Sequence, residues 1–167
     1  MNINVDLNLL LKVCNISIQA GKKILEYYVN DKNEIFIKDD QSPLTKADLT
    51  SNTIIMNGLK DLDTSIPLLS EEALVDWNHR KDWDTYWLID PLDGTKEFIK
   101  KNDEFTVNIS LIKNNKPILG VIFAPALSVL YYASKNFGSY KNKCSDFLVS
   151  LEGSSKIHVN NKNYTDH

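Results

Sequence analysis

The run Tyr86-Trp87-Leu88-Ile89-Asp90-Pro91-Leu92-Asp93-Gly94-Thr95 constrains the chain more than any other stretch. Tyr86 to Ile89 is an apolar run of strand length, and it reads as a buried strand. It ends on Asp90. Pro91 lacks a backbone donor, so the ladder is expected to stop there. Asp93 follows three residues after Asp90, and Gly94-Thr95 can tighten into the first turn of a helix. Taken alone, an Asp-Gly pair is an ordinary turn. Carboxylates at the end of a buried strand, however, are costly unless a cation meets them. Two further segments bring acids to similar places. Leu68-Leu69-Ser70-Glu71-Glu72 is a short apolar run ending in acids, and Ser42-Pro43-Leu44-Thr45-Lys46-Ala47-Asp48 supplies another. Acids delivered from three separate segments suggest a hard-metal site built from oxygen ligands.

The rest of the chain provides a scaffold. With 167 residues, 43% of them hydrophobic, it has enough apolar material for one soluble domain. The net charge of −3 is mixed in sign along the sequence, which excludes a basic nucleic-acid-binding face. Cys14 and Cys144 lack metal or redox spacing and read as reduced structural thiols of a cytoplasmic protein. Leu9, Val13, Ile16, Ala20, Ile24 and Tyr27 form one stripe on a helix over residues 5–28. The Leu9-Leu10-Leu11 run is cut by Lys12, too short for a membrane span. A helix peripheral to the inner membrane is the alternative, but its polar face is not densely basic, and core packing is the expected use.

Residues 31–33 read as a turn, 34–38 as a half-exposed strand and 39–43 as a polar loop. A second helix runs to Leu62, capped by Thr45 or Asp48, with Leu49, Ile55, Met56 and Leu59 inward. The region from Glu72 to Arg80 is a helical turn or loop, with Trp77 placed to cover an entrance. Strands are expected at 66–70, 105–113, 117–123, 128–134 and 138–141, then more weakly at 148–151 and 156–159, before a polar tail at 160–167. Helices gather early and strands late, which predicts an α+β layered sandwich with a largely antiparallel sheet after the acidic motif. Residues 1–144 are expected to form a metal-binding lobe and 145–167 a tail or the start of a second lobe.

The blocks Ser42 to Asp48, Leu69 to Glu72, Trp87 to Phe98, Phe105 to Leu111 and Pro117 to Pro125 occur in the order and spacing of a known family. The chain resembles the 3'(2'),5'-bisphosphate nucleotidase (CysQ-type) branch of the inositol monophosphatase superfamily. Lys96-Glu97-Phe98 points to this branch, because inositol monophosphatases carry Thr-Asn-Phe there, although Lys96 reads equally as a solvated helix lysine. The family's later Trp-Asp-x-Ala motif has no counterpart; Trp83-Asp84-Thr85 shares its letters but lies upstream of the central strand. The expectation is therefore an amino-terminal half, with the carboxy-terminal lobe and its metal-ligand Asp missing and one side of the meander uncovered.

The resemblance implies a sugar-phosphatase fold and two or three Mg²⁺ ions. It implies that Glu71, Asp90, Asp93 and the carbonyl of Leu92 hold metal. It also implies that Asp48 and Thr95, with Glu71, activate water. Glu71, Leu92, Asp93, Gly94, Thr95 and Lys96 would contact a small phosphate ester, 3'-phosphoadenosine 5'-phosphate, releasing AMP. Without cations the converging acids would repel and one would be driven toward protonation near neutral pH. Alternatives are an inositol-monophosphatase-like activity on another small ester, or a remnant that binds Mg²⁺ without turnover. Assembly as a homodimer is also left open. A haloacid-dehalogenase-type aspartyl nucleophile fits poorly, since that group spaces its acids two apart.

Overall fold

The structure, a computed structural model, describes residues 5–30, 34–38, 41, 43–144 and 153–159. The turn expected at 31–33, residues 39, 40 and 42 of the polar loop, the strand expected at 148–151 and the tail at 160–167 lie outside the described residues. Helix α1 (Leu7–Asn30) opens the chain, with the Asp6 carboxylate accepting from the Leu9 N–H at 2.8 Å. Val13, Ile16, Ala20 and Ile24 are buried as the stripe predicts, but Leu10 is fully buried while Leu9 and Tyr27 only flank the core. The face that Val13, Ser17 and Ile24 define passes through Leu10, one residue beyond Leu9. This stripe of α1 packs against the sheet. Among the described residues no helix is long and apolar enough to cross a membrane.

A two-stranded ribbon, β1 (Ile35–Ile37) and β2 (Pro43–Thr45), leads into α2 (Lys46–Leu62). All three β1 residues are exposed, so the expected alternation is absent there. In α2, Ile55 and Leu59 are buried and Met56 packs on the core, but Leu49 is 41% exposed. Six residues before Ile55, it is rotated by about 240° around the helix, away from that face.

The remaining strands form one sheet in the order β3 (Leu68–Ser70), β4 (Thr85–Asp93), β5 (Thr106–Lys113), β6 (Lys116–Ala124), β7 (Val129–Ser134), β8 (Gly138–Lys143) and β9 (Ser154–Ile157). β3 runs parallel to β4, and every later pairing is antiparallel. β9 sits two residues earlier than the strand expected at 156–159. Short helices α3 (Trp77–Arg80) and α4 (Thr95–Lys100) flank β4. Helices α1 and α2 cover one face of the sheet, which places Trp87, Ile109, Val121 and Phe123 in the core. The α+β layering is as the order of elements predicts.

Two expectations about β4 are corrected. First, it is not buried on both faces: Trp87 and Ile89 point to the helices, whereas Leu88 is 43% exposed on the opposite side. Second, Pro91 does not end the ladder. Asp90 pairs with Asn108 and Asp93 with Thr106, so β4 advances three residues while β5 advances two. That extra residue is a bulge, and it accommodates the missing proline donor while re-aiming the acids. The uncovered face carries Leu88 on β4, Ile122 on β6 and Tyr131 on β7, the last two directly paired. A cavity of about 590 Å³ opens there, between Leu69, Leu74, Leu88 and Ile122, and runs up to Glu71 and Asp90. Trp77 does not cover it; its ring is largely exposed, with the Arg80 guanidinium 5.2 Å from its centre.

The β5–β6 hairpin closes through Asn114 (φ 48°) and Asn115 (φ 60°), between the paired Lys113 and Lys116. Two central residues at positive φ match the twist of the strands, and asparagine tolerates this less well than glycine. Asn115→Gly is expected to raise stability by about 0.5 kcal/mol, read as a small rise in melting temperature. A fall would mean that the Asn115 side chain holds the turn.

Candidate active site

The β4 bulge, the end of β3 and the start of α2 bring the acids toward one another. The Glu71 N–H donates to the Ile89 carbonyl at 3.1 Å, which extends the parallel pairing one residue past Ser70 and sets Glu71 beside Asp90. Ser70 is pinned by its hydroxyl to Asn52 Oδ1 at 2.7 Å. On α2, the Thr45 N–H donates to Asp48 Oδ2 at 2.8 Å and the Thr45 hydroxyl to the same oxygen. Thr45 is therefore the N-cap, and Asp48 closes a capping box from the third helical position. The cap leaves Asp48 Oδ1 to accept from the Thr95 hydroxyl at 3.1 Å. Asp48 thus acts in the cap and reaches Thr95 at once.

Thr95 begins α4 after Gly94 (φ 90°), and its hydroxyl also lies 3.2 Å from the Leu92 carbonyl. The Ser51 hydroxyl donates to the Pro91 carbonyl at 2.7 Å, tying the bulge to α2. Phe98, with no exposed surface, packs at 5.3 Å between ring centres against both Tyr28 and Phe105, fixing α4. Asp93 is exposed and accepts from Asn108 Nδ2 at 3.1 Å. Lys96 is exposed on α4.

The cluster holds more negative charge than its surroundings balance. Burial, then repulsion from Glu71 and Asp93, pushes the Asp90 carboxyl up from 3.8 to about 7. Asp48 is also raised by burial, against the lowering effect of its bonds to Thr45 and Thr95. Glu72 is raised by burial although Lys38 pulls it down, because Asp48 and Glu71 repel it. Burial depresses the Lys38 ammonium, but its bonds to Glu72 and Glu71 outweigh this and the net shift is upward. Ammonium and carboxylate of one ion pair both shift upward because burial dominates at Glu72 while the bonds to two carboxylates dominate at Lys38.

Among the described residues, no three His, Cys, Asp or Glu side chains already enclose a common point as a finished cage. Glu71 is turned toward Lys38 at 3.0 Å, and Asp93 is held by Asn108. Asp90 differs: its Oδ1 is buried and has no hydrogen-bond partner. A buried carboxylate oxygen left bare, beside further carboxylates, fits a divalent cation and not a protein donor. Glu71, Asp90 and Asp93 are the side chains able to hold one, while the Leu92 carbonyl faces Thr95.

Sequence reasoning missed Lys38, Glu72 and Asn108. Glu72 had a signal, being the second acid of the Glu71-Glu72 pair, and Asn108 interrupts the apolar alternation of β5. Lys38 had none, since its partners lie more than thirty residues away.

Residues 6–166 match the model of the inositol monophosphatase family. The chain is 49% identical over 137 residues to the 3'(2'),5'-bisphosphate nucleotidase CysQ of Salmonella typhimurium, covering 81% of this chain and 55% of that protein. It is 42% identical over 137 residues to the CysQ of Haemophilus influenzae, covering 81% and 51%. The crystal structure of CysQ from Bacteroides thetaiotaomicron superposes with a TM-score of 0.79 at 37% identity, over 96% of this chain and 61% of that one. The chain thus spans about half the length of the curated relatives it matches. Because the family's model matches residues 6–166 of its 167, the chain belongs to the inositol monophosphatase family.

Proposed function

We propose that residues 1–144 act as the metal-binding lobe of a Mg²⁺-dependent phosphomonoesterase whose substrate is 3'-phosphoadenosine 5'-phosphate, cleaved to AMP and phosphate. The bare, buried Oδ1 of Asp90 carries this reading. The names of the nucleotidase relatives support the substrate, and an all-oxygen donor set supports Mg²⁺. Bound divalent ions supply Lewis-acid polarisation of the phosphate and a lowered water pKa. Glu71, Asp90 and Asp93 would hold them, with the Leu92 carbonyl as a further donor. Thr95 Oγ1, hydrogen-bonded to Asp48, orients the attacking water and passes on its proton. The Gly94 and Thr95 N–H groups, lacking acceptors within α4, grip phosphate oxygens, and Lys96 stands beside them. Water oxygen bonds to phosphorus as the ester P–O bond breaks, and the proton ends on the departing sugar oxygen.

A second reading has an observation of its own: among the described residues the carboxylates do not form a finished cage, which suits a lobe that binds Mg²⁺ without turnover. Phosphate release from the bisphosphate nucleotide, with and without Mg²⁺, separates the two. Mg²⁺-dependent release supports the enzyme. Bound Mg²⁺ without release leaves the remnant, and faster release from a sugar monophosphate would redirect the substrate.

A further inference from the structure

One cation already stands among these acids. Lys38 follows β1, and its Nζ lies 2.6 Å from Glu72 Oε1 and 3.0 Å from Glu71 Oε1. The two contacts are unequal. The Glu72 side chain is 7% exposed and that of Lys38 is 22%, whereas that of Glu71 is 53%. An ion pair shielded from water is stronger and less screened than one reaching into it. Lys38 is therefore anchored on Glu72 and leans on Glu71.

That lean matters for the neighbouring acid. The ammonium takes up a lone pair of Glu71 and places a positive charge beside a carboxylate that a dication would need. The ribbon that carries it is light: β1 is exposed along its length and, among the described residues, pairs with the three residues of β2. Little packing has to break for Lys38 to change partners. We propose that Lys38 is a built-in counter-cation of the acidic site: it holds Glu71 in the ion-free chain and cedes it, still tethered to Glu72, when a divalent ion enters. This rests on reading Glu71 and Asp90 as metal ligands. Lys38 is then a positioning residue that keeps Glu71 ordered without an ion and lowers the site's affinity for one.

Isothermal titration of the full chain with Mg²⁺ tests this, alongside Lys38→Gln and Lys38→Arg. Glutamine keeps a donor for the buried Glu72 but removes the charge, and arginine keeps both. Lys38→Gln should bind Mg²⁺ about tenfold more tightly than the parent, and Lys38→Arg within about twofold of it. Equal affinity in parent and Gln variant overturns the role of Lys38 and leaves the metal site standing. No binding by any of the three overturns both. The parent also supplies a readout should the Gln variant not fold. Acylation of Lys38 by an amine-directed reagent, followed by peptide mass spectrometry, should quicken as Mg²⁺ binds. A rate unmoved by Mg²⁺ that titration shows to be bound overturns the proposal.

Discussion

Asp90→Asn is expected to lower Mg²⁺-dependent turnover by about three orders of magnitude or more while raising the melting temperature of the ion-free protein. Each 1.36 kcal/mol of lost transition-state stabilisation is tenfold in rate, and a first-contact metal ligand is worth several such steps. The stability effect has the opposite sign because, without an ion, a buried and unpartnered carboxylate costs the fold stability. Its Oδ1 is buried without a partner, and its carboxyl is pushed up from 3.8 to about 7 by burial and by Glu71 and Asp93. In the window from roughly pH 4 to 7 the folded chain keeps a proton that the unfolded chain has lost, so stability falls as pH rises through it. The full deficit stands above pH 7. Its ceiling is about 4 kcal/mol, and water around the half-open site reduces it. Melting curves in chelator from pH 4.5 to 8.5 should show the parent falling and Asp90→Asn falling less, the two converging at the acidic end. Asp48 and Glu72, shifted in the same direction, leave the variant part of the slope. Added Mg²⁺ should raise the parent's melting temperature and barely move the variant's. A variant within about threefold of parental turnover would remove Asp90 from the chemistry.

The same residue shows how far sequence carries. That Asp90 and Asp93 belong to one turn was legible, because Pro91 and Gly94 leave few backbone routes between them. That the turn is a bulge inside a continuing strand was not, since a bulge depends on register against β5, and register is a property of the pair. The helix stripes were legible from their period, but which residue of Leu9-Leu10-Leu11 turns inward depends on the sheet that receives it. Asp48 could be read as a cap or as a site residue. The structure gives one oxygen to the cap and the other to the Thr95 hydroxyl, a division that depends on Thr95 arriving from another segment. Lys38 was opaque for the same reason. Local signals fix elements, and the partners of charged groups are set by contacts between distant segments.

Gly94→Ala is expected to destabilise the protein by about 3 kcal/mol or more, lowering the melting temperature by roughly 6–12 °C. Gly94 sits at φ 90°, where an L side chain is strained, and an added Cβ would lie 2.6 Å from the Glu104 carbonyl oxygen and 3.3 Å from Phe105 Cα. Both are backbone atoms at the entry to β5, so no rotamer change relieves the contact. Gly120 provides the control: a Cβ there meets nothing within 4 Å, and Gly120→Ala should leave the melting temperature within about 2 °C of the parent. The two variants separate a general intolerance of added carbon in this sheet from a specific demand at the turn. If Gly94→Ala melts with the parent, the backbone at the turn can relax, and the positive φ is not imposed by the fold. If it melts as expected, the lost geometry is that which seats Thr95 against Asp48 at 3.1 Å. Any Mg²⁺-dependent phosphate release should then fall already at temperatures where the variant is still folded. A 1 Å displacement of the hydroxyl is enough to lose the alignment it provides.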